Sequence, residues 1–178
     1  IRVNPGNPSS PTDIVCDLCV GNVPAPANGG KKYTFKIRRG VKWHTLSATS
    51  KAPPAMKDAS ALIGGTELNA HDIVATFKKI IFPAAGVASA RKAFYVMVDS
   101  VTATDDHTVK FKLKYPSGAF IPALANPYNF IYAKKILDKD MHWYEKNVMG
   151  SGPFRLKERQ AGALISGTRN PDYYHSGK

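Results

Sequence analysis

Hydrophobic and polar positions alternate most cleanly at two places in the chain. Tyr33-Thr34-Phe35-Lys36-Ile37 puts Tyr33, Phe35 and Ile37 on one face, and Thr108–Lys114 puts Val109, Phe111 and Leu113 opposite Lys110, Lys112 and Lys114. A period of two predicts half-buried strands. The second strand is expected to close a hairpin with Val96–Ala103 through the polar turn Asp105-Asp106-His107. A different period runs from Ala70 to Ile81, where Ile73, Val74, Phe77, Ile80 and Ile81 fall on one face of a helix. Asn69 is placed to cap that helix, Asp72 favours its first turn electrostatically, and Pro83 ends it. The apolar stripe predicts that Phe77 and Phe111 share one core.

The rest of the chain is punctuated by turn formers. Residues 4–11 and 22–30 read as loops, and Arg39-Gly40 turns the chain into Val41-Lys42-Trp43-His44. Residues 45–66, rich in Ser, Ala, Pro, Thr and Gly, are expected to form a long exposed loop outside the scaffold. A second loop spans 82–92. Ser117 is placed to cap a short helix reaching Ala125, Phe130-Ile131-Tyr132 reads as strand-like, and 134–139 and 142–148 read as short helices. Gly150-Ser151-Gly152-Pro153 opens a strand at Phe154–Lys157, and Ala161-Gly162-Ala163 turns into a last strand near 163–168. Strands and helices follow one another without regular βαβ order, which predicts an α+β fold, a mixed sheet with packed helices.

Composition narrows the class. A chain of 178 residues with 43% hydrophobic residues can bury a real core. No run approaches the roughly 18 apolar residues of a membrane span. The first residues, Ile1-Arg2-Val3-Asn4, show no Met, basic n-region, apolar h-region or lipidation cysteine. Both ends read as cut, with any targeting segment removed or not included.

Charge adds one question. With 25 Lys and Arg against 13 Asp and Glu the net charge is +12, and no acid falls between Asp17 and Asp58. Such a basic stretch fits either a nucleic-acid surface, with Tyr33, Phe35 and Trp43 as stacking rings, or the solvated outer face of a strand. Strand periodicity favours the second, because Tyr33 and Phe35 share the face expected to be core.

Few residues offer chemistry. Cys16-Asp17-Leu18-Cys19 is a CxxC that fits half a zinc site, a redox dithiol, or incidental small residues and a local disulfide. His44, His71, His107, His142 and His175 stand singly, without a metal-binding pattern. Carboxylates are isolated, Gly150-Ser151-Gly152-Pro153 lacks the Lys-Ser/Thr of a phosphate loop, and no nucleophile motif occurs. No catalytic residue, metal ligand or cofactor is nominated.

Several segments, taken in order, resemble the family 5 extracellular solute-binding proteins, the oligopeptide- and dipeptide-binding components of ABC importers. Tyr33–His44 is similar to that family's strand and turn, and Leu68–Phe77 to its capped helix, with 45–66 standing where the family has an Asp-Gly turn. Asp105–Phe111, Tyr115-Pro116 with Phe120, Gly150–Phe154 and Asn170-Pro171-Asp172-Tyr173-Tyr174 follow in the family's order. The resemblance covers about 31–174; residues 1–30 match poorly.

What the resemblance implies is an incomplete lobe I of a two-lobe, periplasmic binding protein-like II fold, with 175–178 beginning a crossing to a second lobe. It implies a non-enzymatic substrate-binding component without cofactor, working in the periplasm or at the cell surface. Its partners would be a peptide or other small solute (nickel, haem and sugars also occur as cargo) and the permease subunits. Nucleic acid would not be a partner, and the membrane would be met only through a lipid anchor or the permease. Ser89, Arg91 and Tyr95 fall near the family segment that reaches ligand, and Tyr128-Asn129 is an apolar/polar mix after a helix break. Ordinary packing is the alternative for all five.

Overall fold

The computed structural model describes residues 1–46, 50–160 and 162–175. The chain divides into two compact units, each built from two separate stretches: 1–38 with 69–131, and 39–68 with 132–178.

The first unit is organised by a three-stranded antiparallel sheet in the order β3-β5-β4, with β3 at Lys32–Lys36, β4 at Val98–Asp105 and β5 at Thr108–Leu113. Tyr33 pairs with Phe111 and Phe35 with Val109, so the apolar residues of the two strands stand on one face. On that face Val109, Phe111 and Leu113 are buried, whereas Lys112 and Lys114 are exposed and Lys110 is half-buried. The hairpin register therefore agrees with the alternation. Asp105 Oδ1 accepts the His107 amide at 2.8 Å, an Asx turn that shapes the connection.

Helix α2, Ala70–Ile81, packs against this face. Its N-terminus is a full capping box: Asn69 accepts from the His71 amide, and Asp72 accepts from the Asn69 amide at 3.0 Å. Ile73, Val74, Phe77, Ile80 and Ile81 are all buried, as their spacing predicts. Phe77 meets Phe111 edge-on with ring centroids 5.2 Å apart, and Phe120 closes on Phe111 at the same separation. The hairpin β1–β2 (Arg2–Val3 with Ile14–Val15) and the short helix α3, Phe120–Leu124, complete the unit's regular structure. Gly30, ahead of β3, adopts φ +85°, and an added Cβ would lie 2.9 Å from the Pro116 ring.

The second unit contains a ten-residue helix, α1, over Pro54–Ile63. Residues 45–66 are therefore not the free loop that composition implied. Pro54 occupies the first helical position, where a missing N–H costs nothing, and Met56, Ala59 and Ile63 are buried at helical spacing. Val41–His44 runs beside 65–68: the Trp43 amide donates to Thr66 at 3.0 Å and the Leu68 amide to Val41 at 2.7 Å. Helix α4 spans Lys134–Lys139, and the strands β6 (Phe154–Gln160) and β7 (Leu164–Arg169) form an antiparallel hairpin.

Other expectations need correction. Every pairing among the described residues is antiparallel, so the α+β class stands but the parallel part of a mixed sheet does not occur there. Ser117 does not cap α3; its backbone carbonyl accepts the Phe120 amide while Ala119 holds the cap position. Phe130–Tyr132 joins no ladder, and 142–148 contracts to one 3₁₀ turn at Trp143–Glu145. Residues 47–49, Ala161 of the last turn and 176–178 of the expected crossing lie outside the described residues.

The basic stretch also resolves. Tyr33, Phe35 and Trp43 are only 5, 5 and 3% exposed, so the aromatic rings belong to the core. Lys31, Lys36, Arg39, Lys42, Lys51 and Lys57 are exposed. The three rings that the nucleic-acid reading needs for stacking are buried and form no exposed platform.

Candidate functional site

In the first unit, the inner ends of α2 and the sheet leave a cavity of about 140 Å³. Phe35, Val109 and Phe111 line it from the sheet, Ile73 and Phe77 from α2, and Leu18 with Cys19 from the N-terminal segment. The remaining wall comes from Ile1, Asp17 and Ile37 on one side and from Leu124, Asn126, Asn129 and Ile131 on the other. It is a largely apolar hollow whose polar wall holds Asp17, the N-terminal Ile1 and two asparagines.

Asn129 connects this wall to Tyr95. Tyr95 ends a 3₁₀ turn, Lys92–Tyr95, and inserts its ring edge-on against Phe77 at 5.7 Å. Its hydroxyl donates to the Ala123 carbonyl at 2.9 Å and accepts from Asn129 Nδ2 at 2.8 Å. The same amide nitrogen reaches the carbonyls of Ala123 and Leu124 at 2.8 and 3.2 Å. One side chain thereby ties the Ala123 and Leu124 carbonyls at the end of α3 to the Tyr95 hydroxyl. Burial pushes the Tyr95 phenol up to about 12, outweighing the Asn129 hydrogen bond and the positive charge of Arg91. Tyr95 therefore stays protonated at physiological pH and holds structure without exchanging protons.

The five residues singled out by sequence take different places. Tyr95 and Asn129 are in direct contact. Ser89 donates its hydroxyl to the Ile80 carbonyl at 2.6 Å, satisfying the last turn of α2. Arg91 is half-buried, and its buried Nε has no hydrogen-bond partner among the described residues. Tyr128 is 64% exposed. Sequence reasoning missed the company these residues keep: Phe94, Val96 and Phe130 are 54, 57 and 61% exposed. The signal was an apolar residue on each side of a tyrosine or asparagine that itself turns inward.

Cys16 and Cys19 are joined as a disulfide, with Cα atoms 5.0 Å apart. Cys19 is buried and bridges Ile37, while the Val20 amide donates to Lys36 at 2.9 Å and the Arg38 amide to Leu18 at 2.8 Å. The local-disulfide alternative is thus the one the structure contains, and backbone hydrogen bonds hold this segment beside β3. Among the described residues no group of three His, Cys, Asp or Glu is arranged to hold a metal ion. In the second unit His44 is buried, its amide donating to Gly150 at 2.8 Å and its ring Nε2 lying 2.9 Å from the Gly152 carbonyl. Burial lowers its pKa, partly offset by that carbonyl.

A largely apolar hollow, a buried polar clasp and exposed rings are an arrangement suited to recognition. Comparison with known proteins agrees. Residues 24–178 match the family model "Bacterial extracellular solute-binding proteins, family 5 Middle". Di/tripeptide-binding protein 4 of Pseudomonas aeruginosa is 30% identical over 159 residues, covering 82% of this chain and 27% of that protein. The oligopeptide-binding protein AppA of Bacillus subtilis is 30% identical over 153 residues, covering 83% of this chain and 24% of its own. The solved structure of AppA in complex with a nonapeptide superposes with a TM-score of 0.65 at 30% identity, over 89% of this chain and 28% of that one. A dipeptide binding protein from Pseudoalteromonas sp. SM9913, in complex with Met-Leu, shares the fold at a TM-score of 0.72 and 22% identity, over 98% of this chain and 33% of its own. The chain thus spans about a quarter to a third of the length of these relatives. It belongs to family 5 of the bacterial extracellular solute-binding proteins.

Proposed function

We propose that this chain forms part of the substrate-binding component of an ABC importer, a protein that captures small peptides outside the cytoplasmic membrane and delivers them to the permease. The observation that carries the reading is the set of relatives named for di-, tri- and oligopeptides, each about 30% identical over roughly four fifths of the chain. Those relatives are named as binding proteins, which supports a non-enzymatic role. The family's description as extracellular supports a periplasmic or cell-surface location, with a lipid anchor as one means of retention.

Physics supports the same role. A peptide-binding body needs a rigid sheet-and-helix scaffold and a few well-placed polar and aromatic groups, and no activated nucleophile. The first unit has these: a core tied by edge-on rings, and exposed aromatic side chains on segments clasped by the Tyr95–Asn129 hydrogen bond.

Uptake provides the test. In a host lacking its other peptide importers, disruption of the gene encoding this protein should abolish growth on a required amino acid supplied as a di- or tripeptide. Growth on the free amino acid should persist. Unchanged growth on every peptide from two to five residues would remove the peptide reading.

A further inference from the structure

We infer that the second unit holds a site for a small zwitterion with an apolar body, of the size and chemistry of an apolar amino acid, in a cavity between α1 and α4. Asp58 takes the ammonium, Lys139 takes the carboxylate, and the apolar lining with Trp143 takes the side chain. The site lies wholly within the second unit, and the inference holds whichever solute the protein carries.

The cavity follows from the spacing along α1. Ala55, Asp58, Ala59 and Leu62 fall at i, i+3, i+4 and i+7, so they share one face of the helix and line the space together. Met56 and Ile63 stand off that face and are buried. The rest of the lining is Ile136 and Lys139 of α4 with Trp143 of the turn after it. Trp143 is half-buried and meets Tyr144 edge-on, with ring centroids 4.8 Å apart. The Tyr144 hydroxyl in turn accepts the Ala133 amide at 3.0 Å, which anchors the indole to the start of α4.

Charge then selects the occupant. Asp58 and Lys139 are both exposed, so a ligand entering from solvent reaches them. Among the described residues they form no ion pair, with each other or with a third group, whereas Lys134 and Asp138 of the same α4 pair together. A simple cation or anion would be drawn by one of the two charges and repelled by the other. A molecule carrying both signs satisfies both, and its apolar part is matched by Ala55, Ala59, Leu62, Ile136 and Trp143.

Size sets the upper limit. The cavity holds about 260 Å³, just under the roughly 300–1,000 Å³ of pockets for drug-sized ligands. An amino acid meets all three demands in a compact body, because its ammonium, carboxylate and side chain share one carbon. Helix α1 lies inside 45–66, the stretch standing where the family has an Asp-Gly turn, so the cavity belongs to this inserted segment.

The test titrates four probes into the ¹⁵N-labelled 178-residue chain. Leucine carries both charges and the apolar body, leucinamide only the ammonium, N-acetylleucine only the carboxylate, and glycine both charges without the body. Shifts should concentrate in 55–62 and 136–143, the Trp143 indole included, and leucine should bind at least fivefold more tightly than each of the other three. Asp58→Asn should erase the preference for leucine over N-acetylleucine, and Lys139→Gln the preference over leucinamide; both positions are exposed, so the variants keep the fold. Absence of saturable shifts in these residues, shifts concentrated elsewhere, equal affinity for leucine and its amide or acetyl derivative, or preferences that survive both substitutions would overturn the assignment.

Discussion

Single side chains do most to show how local chemistry sets this protein's behaviour. Phe111 touches Phe77, Phe35 and Phe120 through edge-on rings and is 2% exposed, so Phe111→Ala should cost about 3–5 kcal/mol. Lys112, one residue on, points outward and pairs with Asp99 at 2.8 Å. Lys112→Ala should leave stability near that of the parent, because exposed pairs contribute little. Urea unfolding of both variants checks the contrast; a comparable loss in each would invalidate the strand's two-faced reading. His44 gives a pH signature. Its folded-state pKa lies below its unfolded value near 6.5, so the unfolded chain takes up the proton more readily. The stability contribution is complete above about pH 6.5 and is lost as pH falls from there toward the folded value. The melting temperature should drop on acidification from about pH 7.5 to 5, and His44→Gln should flatten that slope. An unaltered slope in the variant would exclude His44 as the cause.

At the scale of elements, α1 decides whether residues 45–66 are dispensable. Met56, Ala59 and Ile63 are buried along it, so Ile63→Ala should cost about 2–5 kcal/mol. Excising 50–64 should cost the second unit its cooperative unfolding; a calorimetric transition of unchanged sharpness would restore the free-loop view. This element also shows where the sequence is legible. Helix α2 declares itself through a cap, a first-turn acid and an unbroken stripe of large apolar residues, and its limits agree with expectation. Helix α1 buries only Met56, Ala59 and Ile63 and begins at two prolines, so composition resembling a loop hides a short stripe. Pro54 at the start was the available sign. Phe130–Tyr132 fails for the opposite reason: three apolar residues look like a strand, but strands exist only with a partner, and none is recorded in a local pattern. The candidate site was legible in part. Tyr95 and Asn129 were marked, yet their contact depends on a 34-residue separation that periodicity does not encode.

For the whole molecule, the chain alone should bind peptide weakly. It spans about a quarter of its peptide-binding relatives, and a ligand held from one side loses contacts while still giving up about 4–15 kcal/mol of translational and rotational freedom. Calorimetry against pooled di- to pentapeptides should show millimolar affinity or weaker; micromolar binding would mean that the full recognition surface lies within these 178 residues. The division into units has a further consequence, for synthesis. Each unit is assembled from two stretches interleaved with those of the other. Strand β3 at residues 32–36 waits for β5 at 108–113, and the His44 ring waits for Gly152, 108 positions further on. At about 5–20 residues per second, a ribosome leaves β3 unpaired for several seconds. Its Tyr33 and Phe35 then stand uncovered beside a row of lysines, and it is those charges that keep the nascent strand from finding a neighbour of its own kind.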